Sequence, residues 1–123
     1  MNCLPTREGG AAAVSQLFQG KSNAPTAVLC HNDLCALGVM LGLSDLGLMP
    51  GRDVAVIGFD NIPESAMHRP ALTTVAIGAR QIGEEAARLL LRRIKAPEGP
   101  PESIILPPKL VIRASCGAGP GVQ

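Results

Sequence analysis

The sequence predicts an α/β domain built on a parallel sheet. Two apolar runs, residues 26–30 (TAVLC) and 54–59 (VAVIGF), have the length and unbroken apolarity of strands covered on both faces. Residues 33–46, between them, repeat apolar side chains at helical period. Strand, helix and strand from residue 26 to residue 59 make a βαβ unit, which strong precedent makes right-handed.

Composition agrees with one packed domain. The chain has 123 residues, and 46% hydrophobic against 17% charged suits a core rather than disorder. Aromatic bulk is nearly absent, with Phe18 and Phe59 the only such residues, so Ala, Gly and Leu must fill the interior. A net charge of +1 argues against nucleic-acid binding by this chain itself, because phosphate neutralisation needs a clustered basic face. The one basic cluster, Arg88, Arg92, Arg93 and Lys95, suits the end of a helix and reads as a solvated face. No run of 18 apolar residues exists, so no membrane span is expected. The start of the chain has no leader-like pattern, and its four cysteines then fit a reduced, cytoplasmic protein.

The elements follow in order. Residues 7–19 read as a helix with Thr6 as N-cap, Glu8 in the first turn, Ala11, Val14, Leu17 and Phe18 at helical spacing, and Gly20 as its end. After the strand at 26–30, the helix at 33–46 places Leu34, Leu37, Gly38 and Leu41 on one face, and Gly47 stops it. MPGRD turns the chain into the strand at 54–59. Residues 61–71 are irregular or hold one helical turn, and 72–75 are extended. Residues 79–95 form the longest helix, with Ile82, Ala86, Leu89, Leu90 and Ile94 facing inward and a Glu84–Arg88 pair outside. A turn-rich connector, APEGPPES, leads to short strands at 104–106 and 110–113, and residues 114–123 are expected to fray.

Both strands run into a polar patch, CHND at 30–33 and GFDN at 58–61. The carboxyl ends of parallel strands open onto the ligand crevice of an α/β sheet. If the strands are neighbours, Asn32 and Asp60 share one rim. An amide beside a carboxylate can read a hydroxyl-rich or nitrogen-rich small molecule. The competing reading is local: Asn32 caps the following helix, and Asp60 or Asn61 shapes a turn. On spacing alone capping is the stronger of the two.

Catalysis and metal binding find little support. His31 and Asp33 stand near Cys30 and Cys35, but four residues separate the two cysteines, which is poor zinc spacing. Cys30 reads as pointing into the sheet and Cys35 into helix packing. His68 lies in a loop without a partner in the sequence, and no nucleophile elbow, phosphate loop or metalloprotease motif occurs. No cofactor or metal is expected.

The stretch from Thr26 to Val75 resembles the C-terminal part of the effector-binding domain of LacI/GalR-type bacterial transcription regulators. The matching features are NDLCALG from Asn32 to Gly38, the turn into VIGFDN, the PALTTV run, the IGEEAARLLLRRI helix and the closing LPPKLVIRASCG. The resemblance covers roughly residues 6–117. It implies a periplasmic-binding-protein-like fold, in which two flavodoxin-like α/β lobes flank a ligand cleft, with a helix-turn-helix headpiece ahead of them. On that basis residues 1–117 would be part of such a two-lobe domain and 118–123 a flexible tail. The headpiece, hinge helix and first-lobe strands have no counterpart here, which implies a truncated or fragmentary chain. The ligand-binding set would be Asn32, Asp60, Asn61 and Asp33: Asn32 and Asp60 would contact the effector, with Asp33 also supporting the strand–helix turn and Asn61 shaping the loop. The effector would be a sugar, a polyol or a purine. The family often has an aromatic wall where this chain has Leu4 or Pro5, and a further cleft residue where it has Gly78 and Ala79. An aromatic-poor cleft weighs against stacking on a sugar ring.

The resemblance therefore implies an effector-sensing and dimerisation module of a repressor-type regulator. DNA would be touched only through a headpiece that this chain lacks. The alternative is a solute-binding protein of a transporter, which shares the fold but needs export. Unpaired sheet edges and bare apolar faces predict a homodimer. Candidate contact surfaces are the outer face of helix 7–19, the region of Met40, and residues 63–69.

Overall fold

The computed structural model describes residues 2–20 and 22–118. Its elements are α1 (Arg7–Phe18), β1 (Ala27–Leu29), α2 (Asp33–Asp45), β2 (Ala55–Phe59), α3 (Pro63–Met67), β3 (Thr73–Ala76), α4 (Ala79–Lys95), β4 (Lys109–Val111) and a 3-10 turn at Ala114–Cys116. The sheet order is β1-β2-β3-β4. β1, β2 and β3 are mutually parallel, and β4 runs antiparallel to β3. The sheet is thus mostly parallel, with one antiparallel edge.

Thr6 caps α1 as its position predicts, accepting the Gly9 amide at 3.1 Å. The buried face of α1 is Gly9, Gly10, Ala13 and Val14, and it packs on α2. The crossing is close because small residues meet: a Cβ on Gly10 would overlap the Cys35 carbonyl oxygen, and one on Gly38 would overlap that of Arg7. α2 is buried almost all round, with Leu37, Val39, Met40 and Leu43 in the core. Burying each such side chain contributes about 1.5–3 kcal/mol. The predicted stripe is therefore too narrow, and it also misplaces two residues. Leu34 and Leu41 point outward, because α2 is sandwiched between α1 and β2 rather than lying on one surface. Met40 is fully buried and is not a contact residue for a partner. Cys30 and Cys35 belong to the same core, as expected.

Three further expectations change. Residues 104–106 form no strand, since prolines at 100–101 and 107–108 flank them and no described strand lies alongside, and Ile105 is 90% exposed. The expected Glu84–Arg88 pair is replaced by Arg80–Glu84 at 2.9 Å and Glu85–Arg88 at 2.6 Å, neighbouring surface pairings of similar worth. Residues 114–117 do not fray. Ser115 is fully buried, donating to the Val56 carbonyl at 2.6 Å and accepting the Thr73 amide at 2.8 Å, so its hydroxyl bridges β2 and β3 where their pairing begins. Beyond Ala118, the expected tail lies outside the described residues.

α4 matches its predicted bounds but not its predicted surroundings. None of its residues is buried, and Ile82, Leu90 and Ile94 are 44%, 60% and 65% exposed. The apolar period is real, yet no described element covers that face.

Candidate functional site

Pairing of Leu29 with Ile57 in parallel register brings the carboxyl ends of β1 and β2 to one edge. The next residues form a cavity of about 430 Å³ lined by His31, Asn32, Phe59 and Asp60. Asn32 and Asp60, predicted to share a rim, therefore face one cavity. Asp60 also lines a second hollow of about 570 Å³, with Asn61, Gly78, Arg80 and Glu84 among its walls. The polar edge thus continues from α2 to the first turn of α4.

Asn32 is both cap and rim. Its Oδ1 accepts the Cys35 amide at 2.9 Å, satisfying one of the free donors at the start of α2. Its Nδ2 donates to the Pro5 carbonyl at 3.1 Å, which fixes the segment before α1 against the rim. One amide hydrogen and one oxygen lone pair remain for a ligand.

Asp33 lies beneath the rim, not on it. It is fully buried, and its two oxygens hold three donors. Oδ1 accepts the Thr74 hydroxyl at 2.5 Å, and Oδ2 accepts the Ser65 hydroxyl at 2.6 Å and the Ile62 amide at 2.9 Å. One carboxylate thus ties α2 to α3 and β3. Gly58 makes room for it, since a Cβ there would overlap Oδ1.

Asp60 and Asn61 turn the chain out of β2 with φ of 110° and 56°. Non-glycine residues seldom adopt these values, which are tolerated where surrounding bonds fix them. The Asp60 amide donates to the Val75 carbonyl at 2.9 Å, and the Asn61 amide to Thr74 Oγ1 at 3.3 Å. The Asn61 side-chain oxygen accepts from the Arg113 guanidinium at 2.8 Å, and Arg113 also donates to the Leu72 carbonyl at 2.6 Å. The exposed Asp60 carboxylate has no hydrogen-bond partner among the described residues.

Two buried cysteine thiols titrate high. Burial, reinforced by the neighbouring Cys35, pushes the Cys30 thiol up to about 12. Burial, then hydrogen bonding to Cys3, raises Cys35. Among the described residues no group of three or more His, Cys, Asp or Glu is arranged to hold a metal ion. His68 finds a partner that its sequence position did not reveal, the Pro70 carbonyl, 3.2 Å from Nδ1.

The sequence had not pointed to four contributors: His31 and Phe59 on the rim, and Thr74 and Arg113 behind it. Phe59 supplies an aromatic surface in a region expected to lack one. Its signal was visible in GFDN, as the last residue of a strand that ends at the cavity. Thr74 and Arg113 act across 41 and 52 residues of chain, which no local pattern could reveal.

A cavity of about 690 Å³ also lies between the end of α4 and the connector, bordered by Leu89, Leu90 and Pro100. It belongs to the bare face of α4 and lies away from the polar rim.

Residues 2–116 match the family described as "Periplasmic binding protein-like domain". The HTH-type transcriptional repressor PurR of Yersinia enterocolitica is 39% identical over 113 residues, which cover 92% of this chain and 33% of the repressor. A LacI family transcriptional regulator from Enterococcus faecalis, solved with bound ribose, superposes with a TM-score of 0.86 at 33% identity, over 94% of this chain and 42% of that one. The lac repressor dimer bound to operator and the anti-inducer ONPF gives a TM-score of 0.82 at 30% identity, over 92% of this chain and 34% of that one. The chain spans about a third of the length of the repressors it matches. By its sequence and its fold, then, the chain belongs to the periplasmic binding protein-like domain family and is homologous to the effector-binding domains of LacI-family transcription regulators.

Proposed function

We propose that the chain senses a small hydroxyl-rich effector as part of a LacI-type transcriptional regulator, with Asp60 and Asn32 as the principal ligand contacts. One observation carries this reading: the Asp60 carboxylate, free of partners among the described residues, faces the same cavity as Asn32, His31 and Phe59 at the carboxyl ends of two neighbouring parallel strands. The carboxylate accepts from vicinal hydroxyls, Asn32 donates and accepts, and the Phe59 ring offers an apolar face. Asn61 is a second-line contact, oriented by Arg113, while Asp33 fixes the loop geometry rather than touching ligand. The ribose-bound relative makes a sugar the first class to test, ahead of polyols and purines.

Ligand would close the cleft between lobes and change the spacing of DNA-binding headpieces, to which dimeric helix-turn-helix proteins are sensitive. DNA contact is assigned to another part of such a regulator, because a net charge of +1 argues against the clustered basic face that phosphate binding needs. The protein would act in the cytoplasm as a homodimer and would not be an enzyme. The relatives above are transcription regulators, which favours this reading over a transporter's solute-binding protein.

Thermal-shift screening against ribose, lactose, polyols and purines tests the proposal. At about 100-fold excess over Kd, binding to the folded state adds about 2.7 kcal/mol and raises Tm by several degrees. Asp60→Asn, which suits the positive φ of the turn, is expected to shrink that shift sharply with little change in the Tm of the free protein. A shift that survives Asp60→Asn unchanged would return Asp60 to a purely turn-forming role.

A further inference from the structure

We propose that Cys3 and Cys35 are an oxidation site, forming an intramolecular disulfide that staples the segment before α1 to the first turn of α2. The two sulfurs lie 3.7 Å apart, although 32 positions separate them in the chain. A disulfide needs about 2.05 Å, so closure requires an approach of about 1.7 Å. Cys3 can supply it, because it is exposed and lies in non-helical chain, whereas Cys35 is buried and fixed in α2. Both residues line one cavity of about 450 Å³, with Cys30 and His31 on its wall.

The chemistry needs a peroxide as oxidant. The Cys3 thiol gives up its proton and its sulfur attacks a peroxide oxygen; the O–O bond breaks, Cys3 becomes a sulfenic acid, and the departing hydroxide (or alkoxide) takes up that proton and leaves as water (or an alcohol). The Cys35 sulfur then attacks the Cys3 sulfur, the S–O bond breaks, and a second water departs with the Cys35 proton. Two thiols are oxidised by two electrons and the peroxide is reduced by two. Burial shields Cys35 and Cys30 from solvent, which leaves the exposed Cys3 as the thiol that meets the oxidant first. The product would hold in place the segment whose Pro5 carbonyl binds Asn32, so oxidation state would be felt at the rim. The bond itself does not depend on what the rim binds.

The test is thiol counting on the full chain after equimolar hydrogen peroxide, followed by alkylation and peptide mass mapping. Two of the four thiols should disappear, dithiothreitol should restore them, and the cross-linked peptides should contain Cys3 and Cys35. Cys3→Ser, a change at an exposed position, should prevent the loss, and Cys30→Ser should not. Loss of two thiols in Cys3→Ser, a product joining Cys30 to Cys35, or oxidation that stops at sulfinic acid would each overturn the assignment.

Discussion

The carboxylate of Asp33 accepts the Thr74 hydroxyl at 2.5 Å, joining the first turn of α2 to the middle strand pair of the sheet. The same side chain holds the Ser65 hydroxyl and the Ile62 amide, so the loop after β2 is fixed from below by one buried anion. Asp33→Asn would turn an amide donor toward at least one of three donors. Hydroxyls can rotate away, but the Ile62 amide cannot. A loss of about 2–4 kcal/mol is expected in urea unfolding, the scale for breaking a buried charge-assisted network. A loss below about 0.5 kcal/mol would show that the network contributes little.

Asn32→Ala separates capping from sensing. Removing an N-cap costs about 1 kcal/mol, and the Cys35 amide loses its partner. The variant should be measurably less stable, and ligand affinity should fall as well. Asp60→Asn, by contrast, keeps a residue type that tolerates positive φ and should weaken ligand binding alone. Calorimetry beside urea melts distinguishes the two, and identical profiles for both variants would contradict the assigned roles.

These two residues also show where the sequence was legible. The strand–helix junction at 30–33 reads correctly because capping and apolar runs are local signals, and Asn32 and Asp60 meet because parallel pairing puts equivalent strand ends together. Asp33 does not read as a buried hub from sequence, because its partners Ser65 and Thr74 lie 32 and 41 residues away. Ser115 was missed for the same reason: a short polar stretch near glycines looks loose until Val56 and Thr73 are brought to it. The period and bounds of α4 are correct, but periodicity reports which face is apolar and not whether anything covers it.

Cys30 predicts an alkaline limit to stability. Its thiol moves from 9.0 to about 12 on burial, so the folded state keeps a proton that the unfolded chain loses. A raised pKa stabilises fully below pH 9 and its contribution falls as pH rises toward 12, with a limiting slope of about 1.4 kcal/mol per pH unit. Urea melts from pH 8 to 11 should show the decline, and Cys30→Ala should make it shallower, leaving the part that Cys35 contributes. An equal slope in the variant would place the titration elsewhere.

Asp53 predicts a small effect at the acid end. The Arg52 guanidinium, 2.8 Å away, and then the Met49 amide hold its carboxyl below 3.8. A depressed pKa stabilises above the unfolded value and is lost as pH falls through the folded one. In an NMR titration the Asp53 midpoint should lie below 3.8 and should rise in Arg52→Ala. No movement in that variant would leave the Met49 amide as the sole cause.

The bare face of α4 sets the last expectation. Ile82, Leu90 and Ile94 recur at helical spacing, and Leu90 with Leu89 borders a hollow that ends at Pro100 and Pro101. Exposed apolar area of this kind marks an association surface, because leaving several such side chains in water forfeits about 25 cal/mol per Å². The chain should therefore self-associate at micromolar concentration in sedimentation velocity. Leu90→Glu puts a charge at the centre of the stripe and should shift the distribution toward monomer. It should leave the core untouched, since Leu90 is 60% exposed. A wild-type monomer at those concentrations would mean that the face is tolerated in water. Association unaffected by Leu90→Glu would move the contact to the outer side of α1 or to residues 63–69, where Met67 is 66% exposed.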